Sequence, residues 1–193
     1  MSDVAPPQSR TIFSPLDLQN RSLAWRAGAV VLGTLFLALS SYVEVPMVPV
    51  PVTMQTLAVT LIGAFYGWRL GGITITAWLI EGALGMPVLA GGAAGAHHFV
   101  GSTAGYLFAF PLAGALVGWL AEKGWNGSRP LLAFAGMVLG NAVCLALGAT
   151  WLGLAIGIEG GIAYGVTPFL IGGLLKSALG AALLMALTRN AAR

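Results

Sequence analysis

Six apolar segments divide this chain, and the last of them carries a charge near its centre. An apolar helix of about 20 residues crosses the roughly 30 Å hydrocarbon core of a bilayer. Only 8% of the residues are charged, against about 25% in a soluble domain. The sequence therefore predicts an all-α membrane protein, a bundle of six transmembrane helices. The segments cover residues 24–43, 53–68, 71–87, 103–121, 130–156 and 165–188.

The basic residues predict how the six helices are oriented. Eight of the nine Lys and Arg lie before the first segment or at its start, in the second and fourth gaps, or after the sixth segment. The other three connections contain Glu44, Glu159, His97 and His98, but neither Lys nor Arg. Lys and Arg concentrate on the cytoplasmic side of membrane proteins. We therefore expect the N- and C-termini to be cytoplasmic.

The two ends of the chain are too polar to belong to the bundle. The first apolar run starts near residue 23, behind Pro, Asp and Ser, which is unlike a secretory signal peptide. We predict a cytoplasmic leader at 1–23, a six-helix transmembrane domain at 24–188 and a cytoplasmic tail at 189–193. Residues 12–25 form either a short helix at the membrane surface or a mobile tail. The expected location is the inner (plasma) membrane of the cell, crossed several times.

Lys176 lies inside the last apolar segment, in TPFLIGGLLKSALGAALLMAL. It follows the start of that segment by about 11 residues, or about 16 Å of helix, which places it near the bilayer midplane. A lysine at the centre of an inserted helix costs about 2.5–3.5 kcal/mol on insertion scales. Its charge therefore needs a partner, either Glu81 in an internal salt bridge or an anionic ligand. Both hold if an incoming carboxylate displaces Glu81.

Motifs of several common enzyme classes are missing from the sequence. It has no GxxxxGK[ST] phosphate loop and no HExxH motif. His97 and His98 are adjacent and would point apart on a helix, so we expect no metal site. Ser102 in GSTAG is misplaced for a GxSxG hydrolase elbow. We predict a protein that is not an enzyme, with no cofactor and too little charge for nucleic acid; an intramembrane enzyme and a structural bundle without ligand remain alternatives.

Polar and aromatic side chains are few within the apolar segments. A few polar groups in an apolar concavity are typical of a small-molecule site, although each could instead join two helices. The Gly-rich stretch 89–105 is too apolar for an exposed loop and is expected to line a cavity or pack against protein. The candidate residues are Thr53, Gln55, Trp78, Glu81, Thr103, Tyr106, Asn141, Trp151 and Lys176.

The first segment carries small residues at helical spacing. Ala29 and Gly33, and then Thr34 and Ala38, are four residues apart and share a helix face. Small residues let another helix approach closely in a membrane. This face either packs within the chain or docks to a partner membrane protein, and we predict docking.

Four stretches together resemble a known family. They closely resemble BioY, the biotin-specific substrate-binding (S) component of energy-coupling factor (ECF) vitamin transporters. The resemblance implies six helices, a biotin pocket open to the outside, and biotin uptake without chemistry on the ligand. It also implies two partners, a transmembrane coupling subunit and a pair of ABC-type ATPases. The stretches are VPVPVTMQTLAVTLIGAFYGWRLG (48–71), GALGMPVLAGGAAG (82–95), FVGSTAGYLFAF (99–110) and TPFLIGGLLK (167–176).

The chain departs from the family pattern in two places. Ser102 and Ala104 stand in GSTAGYL where the family has GPTGGYL, and Gly173 stands where PGDLIK has Asp. The same scaffold specific for another small vitamin-like anion is therefore the alternative function. If the missing Asp contacts ligand in relatives, Glu81 is expected to supply the acceptor instead.

The chemistry of biotin suits the candidate residues. Its carboxylate suits Lys176, and its apolar rings suit aromatic side chains and close backbone at a glycine pair. Its ureido group needs both donors and acceptors, which Glu and amide side chains supply. The predicted ligand-binding residues are Lys176, Glu81, Gln55, Thr53, Gly91, Gly92, Tyr106, Trp78 and Asn141.

Overall fold

The structure is a computed structural model that describes residues 21–191. Residues 1–20 of the leader predicted at 1–23, most of the predicted surface helix and the last two residues of the tail lie outside the described residues. Within them, the elements are helices and one pair of two-residue strands, and a long irregular stretch covers residues 84–103. In chain order they are α1 (Leu23–Ser41), β1 (Glu44–Val45), β2 (Val52–Thr53), α2 (Gln55–Ala83), α3 (Ala104–Glu122), α4 (Pro130–Ile156), α5 (Ile158–Gly165) and α6 (Leu170–Ala191).

The strand pair is a feature that the all-α prediction omitted. β1 and β2 run antiparallel, with Glu44 opposite Thr53 and Val45 opposite Val52. Three prolines lie between the strands, and proline can neither continue a helix nor donate a backbone hydrogen bond. The pairing brings Thr53 to the start of α2, where its carbonyl faces the interior of the bundle.

Five helical stretches among the described residues are long and apolar enough to cross a membrane, judged by length and composition alone. They are α1, α2, α3, α4 and the stretch Ile158–Arg189, which joins α5 to α6. Large apolar side chains cover their outer surfaces, for example Leu32, Leu131 and Leu154, which are 66%, 83% and 84% exposed. Such a surface is unfavourable in water and suits lipid. The described residues thus have the character of a multi-pass membrane protein.

α2 reverses direction at Gly67. Its φ of 75° and ψ of 174° belong to a region that is essentially restricted to glycine. A Cβ placed on Gly71 would lie 3.1 Å from the Gly63 Cα, so the two arms, 55–66 and 68–83, fold against each other. The predicted segments 53–68 and 71–87 correspond to these arms, and YGWRLGG forms the turn between them.

α3 packs across both arms of α2. A Cβ placed on Gly114 would contact the Ile75 side chain and lie 3.6 Å from Val59 Cγ1. A Cβ on Gly118 would lie 2.6 Å from the Gly67 carbonyl carbon, at the turn itself. Glycines on α3 therefore allow the close approach that small residues provide in membrane bundles. α4 then packs against α3 and α6 and closes the bundle around a cavity.

The small-residue face of α1 packs inside the chain. Ala29, Gly33, Thr34 and Ala38 are all buried. The Ala29 carbonyl accepts a 2.9 Å hydrogen bond from the Tyr66 hydroxyl of α2, and a Cβ on Gly33 would lie 2.5 Å from Thr74 Cγ2. The partner-docking prediction for these four residues is therefore corrected, because α2 already occupies their face.

Candidate ligand-binding site

A cavity of about 340 Å³ lies between the β1–β2 connection, the start of α2, the irregular stretch after α2, and helices α3, α4 and α6. Its volume is in the range of small-molecule sites, roughly 300–1,000 Å³. Apolar side chains including Leu107, Phe110, Leu145 and Phe169 form much of its wall. Its polar and titratable lining residues are Thr53, Gln55, Thr56, His97, His98, Ser102, Thr103, Tyr106, Asn141, Cys144 and Lys176.

Lys176 lines the inner part of this cavity. It lies on α6, is 8% exposed, and its Nζ donates a 2.9 Å hydrogen bond to the Thr53 carbonyl. Among residues 21–191, no ion pair joins Lys176 to Glu81 or to another carboxylate, so the internal salt bridge is not the arrangement found. An ammonium group has three donors, and the Thr53 carbonyl takes one. Donors therefore remain for a ligand.

Gln55 lines the cavity, and Thr53 fixes the orientation of its amide. Its Oε1 accepts a 2.9 Å hydrogen bond from Thr53 Oγ1, and its backbone N–H donates to the same hydroxyl oxygen at 3.3 Å. Its Nε2 is buried and has no partner, as is the Thr56 hydroxyl. An unsatisfied buried polar group costs about 1–3 kcal/mol. A ligand acceptor at this place would satisfy these atoms.

Asn141 has a free acceptor, whereas Gln55 has a free donor. Its Nδ2 donates to the Met137 carbonyl and to Ser177 Oγ, each at 3.1 Å, and Ser177 Oγ donates in turn to the Gly173 carbonyl at 2.8 Å. The amide nitrogen is thus engaged and Oδ1 remains as the acceptor. A Cβ placed on Gly173 would lie 3.8 Å from this Oδ1. Asn141 both joins α4 to α6 and lines the cavity.

Tyr106 contributes its ring, since its hydroxyl is occupied. The hydroxyl donates a 2.6 Å hydrogen bond to the Gly165 carbonyl, which ties α3 to the end of α5. The ring lies over Gly148, where a Cβ would collide with it, and its centroid is 6.0 Å from that of Phe169. The two rings form part of an apolar wall.

Four predicted ligand residues lie outside the cavity lining. Trp78 is fully buried behind the wall, where its Nε1 donates to the Val88 carbonyl at 2.9 Å and its ring packs on Phe110. Glu81 is half-buried near the end of α2 and does not reach the cavity. The acceptor oxygen found beside Gly173 in the cavity is Asn141 Oδ1, and Glu81 is not part of the lining.

Gly91 and Gly92 are the other two predicted residues outside the lining. Both have positive φ, 61° and 80°, which suits glycine. A Cβ on Gly91 would lie 2.5 Å from Glu44 Oε1, and one on Gly92 would lie 3.0 Å from Tyr42 Cε1. Their backbone therefore packs against the end of α1 and β1, and their neighbours Ala90 and Ala93 face the cavity instead.

The sequence analysis missed several lining residues. Thr56 follows Gln55 directly, but its neighbours gave no reason to expect an unpaired hydroxyl. Cys144 is three residues after Asn141 and therefore shares its helix face, a spacing that could have identified it. His97 and His98 were considered only as metal ligands, although the Gly-rich stretch around them was expected to line a cavity.

The two histidines lie where the cavity opens. His97 is exposed, His98 is half-buried, and both line the cavity. Their ring centroids are 4.1 Å apart, with 40° between the ring planes. Burial and, to a smaller extent, the charge of His97 lower the pKa of His98 below its ordinary value. His98 therefore gains its proton less readily than an isolated imidazole would.

Comparisons with known proteins agree with this architecture. The chain is 35% identical over 156 residues to the probable biotin transporter BioY of Pyrococcus horikoshii, covering 79% of this chain and 91% of that one. It is 32% identical over 179 residues to biotin transporter BioY2 of Lactococcus lactis, covering 90% and 97% of the two chains. It is also 32% identical to biotin transporter BioY of Thermotoga maritima over 157 residues, 81% and 91% of the two chains.

A solved structure shares the fold. The crystal structure at 2.1 Å of the S-component for biotin from an ECF-type ABC transporter matches with a TM-score of 0.77. The match covers 88% of this chain and 95% of that one at 22% sequence identity. The model of the BioY family matches residues 15–193, which is nearly the whole sequence. The chain therefore belongs to the BioY family.

Proposed function

We propose that this chain is a membrane-embedded biotin-binding subunit, the S component of an ECF-type transporter, which takes up biotin without chemistry on it. One observation carries the proposal: a single cavity is lined both by the buried Lys176 and by Gln55, whose Nε2 has no hydrogen-bond partner. The printed names of the relatives, which are biotin transporters, support the choice of ligand.

The ureido group of biotin fits the inner end of the cavity. Its carbonyl can accept from Lys176 Nζ, Gln55 Nε2 and the Thr56 hydroxyl, while an N–H can donate to Asn141 Oδ1. A carboxylate has no N–H for Asn141, whose nitrogen is already engaged. We therefore assign the ureido group to Lys176, in place of the carboxylate expected from the sequence. The Tyr106 ring and the apolar wall cover the fused rings.

Six membrane crossings are inferred from the two arms of α2 together with α1, α3, α4 and α6. The turn at Gly67 supports counting the arms separately. An even number returns both termini to one side, and the distribution of Lys and Arg supports the cytoplasmic side. The cavity then opens to the outside of an inner (plasma) membrane.

Energy for transport is proposed to come from other chains. The sequence has no phosphate loop, so ATP hydrolysis would belong to a partner pair of ABC-type ATPases, coupled through a transmembrane subunit. The fold that this chain shares with the S-component of an ECF-type ABC transporter supports this assignment.

Equilibrium titration of the purified full chain in detergent tests the ligand. Biotin and desthiobiotin, which share the ureido group, should both saturate the protein at submicromolar concentrations. Lipoate, an acid of similar size without a ureido group, should not. Saturation by lipoate and not by biotin would favour the vitamin-like-anion alternative. A changed ligand mass after incubation would identify an enzyme and contradict the proposal.

A further inference from the structure

We propose that His97 and His98 form an anion subsite at the opening of the cavity, which takes the carboxylate of the ligand and binds it more tightly as the pH falls. The inference rests on the proposed function, because it concerns the acid end of the same ligand. It assigns residues to the carboxylate of biotin, which has no partner in the arrangement proposed above.

The backbone holds the two rings beside each other. They lie in a short 3-10 turn, Ala96–Phe99, which follows Gly95 with its φ of 106°. His98 N–H donates to the Gly95 carbonyl, and Val100 N–H donates to the His97 carbonyl, both at 3.3 Å. A Cβ on Gly95 would lie 2.9 Å from His97 Nδ1. Glycine at this position thus leaves room for the His97 ring at the opening.

The charges around the cavity favour an anion at this place. Its described lining contains no Asp or Glu. The other titratable lining residues are Lys176 of α6, Cys144 of α4 and Tyr106 of α3. Tyr42 and Glu44 lie on the far side of the same loop, against Gly92 and Gly91. No carboxylate of the described lining competes with a ligand for the two imidazoles.

The direction of the pH effect follows from linkage. An imidazole is mostly neutral at pH 7.5 and gains its charge around and below pH 6.5, whereas an aliphatic carboxyl with a pKa of about 4.3 stays ionised at pH 5.5. A bound carboxylate favours the charged imidazoles. Binding therefore takes up protons, and affinity for the acid rises as the pH falls through this window.

Binding of biotin and of neutral biotinamide at pH 7.5, 6.5 and 5.5 tests the subsite. The chain has two histidines in all, so His97→Gln with His98→Gln removes every imidazole with little change in size. We expect the unmodified chain to bind biotin about fivefold more tightly at pH 5.5 than at pH 7.5, the range of exposed ion pairs. Its affinity for biotinamide should not change.

The double variant provides the matched control. It should still bind both ligands, with no pH response for either, and its saturable binding of biotinamide at pH 7.5 reports an intact fold. A response that persists in the double variant, that appears equally for biotinamide, or that is missing from the unmodified chain would overturn the subsite. If biotin and biotinamide both fail to bind at any pH, the proposed function falls, and the subsite with it.

Discussion

At the scale of single residues, hydrogen bonds decide which atom each cavity side chain presents. Thr53 is central, since its carbonyl accepts from Lys176 and its hydroxyl donates to Gln55. Asn141 is fixed in the same way by Met137 and Ser177. These bonds leave Gln55 with an unpaired donor and Asn141 with an acceptor oxygen. Under the proposed function, the pair would select for a ligand group that has both an acceptor and a donor.

Replacing Lys176 by Met should weaken biotin binding by at least about tenfold, or about 1.4 kcal/mol. The change removes the charged donor and keeps a flexible side chain of similar length, so the bundle should stay folded. Calorimetric titration measures the loss, with Lys123→Met as the control because Lys123 is exposed and is not part of the cavity lining. An unaltered affinity would mean that Lys176 does not contact biotin and has only a structural role.

Replacing Gln55 by Glu should weaken biotin binding by about tenfold or more, because an unpaired N–H donor becomes a carboxylate oxygen facing an acceptor. The oxygen that accepts from Thr53 is retained, so the local hydrogen bonds should survive. Titration of the purified variant checks this, with its unfolding temperature as the test of fold. Full affinity in the variant would mean that the Gln55 amide does not contact the ligand.

At the scale of elements, the hairpin of α2 organises the bundle. The turn at Gly67 lets its two arms pack on each other, and the glycines of α3 let that helix cross both arms closely. α1 covers the outer side through Gly33 and its small neighbours. β2 and the start of the first arm then carry Thr53 and Gln55 to the cavity, and the Thr53 carbonyl meets Lys176 of α6 there.

Replacing Gly67 by Ala should destabilise the fold by about 1–3 kcal/mol, because a residue with a Cβ is strained at this φ and ψ. Gly72→Ala is the control in the same helix, since its Cβ would meet nothing closer than 3.9 Å. Thermal unfolding in detergent compares the two variants with the parent. Equal midpoints for both would indicate that the arms are not joined by this turn.

At the scale of the whole molecule, an apolar exterior surrounds a small polar interior. Exposed Leu and Ile side chains cover α1, α4 and α6, while charged residues lie mainly at the ends of helices and in their connections. This arrangement suits a bilayer, in which backbone groups must be satisfied within helices. The irregular stretch between α2 and α3 occurs where it lines the cavity.

The inferred topology predicts that residues 123 and 159 lie on opposite sides of the membrane. With Lys123→Cys and Glu159→Cys made separately, a membrane-impermeant maleimide should label only the second in intact cells, and both after permeabilisation. The native Cys144 is buried and should serve as the unlabelled control. Labelling of both positions in intact cells would contradict six crossings with cytoplasmic termini.

The sequence by itself determined the helical membrane class and the family resemblance, because long apolar segments with so few charges suit hydrocarbon and not water. It also selected Lys176, Gln55 and Asn141, which the structure places in the cavity lining, and their contact with a ligand stays a prediction. It failed for Glu81, Trp78, Gly91 and Gly92, and for the small face of α1. Which side of a helix meets the cavity, and which atom of an amide is free, depends on neighbours distant in the chain. Those contacts exist only once the helices have packed, so only the tertiary structure decided them.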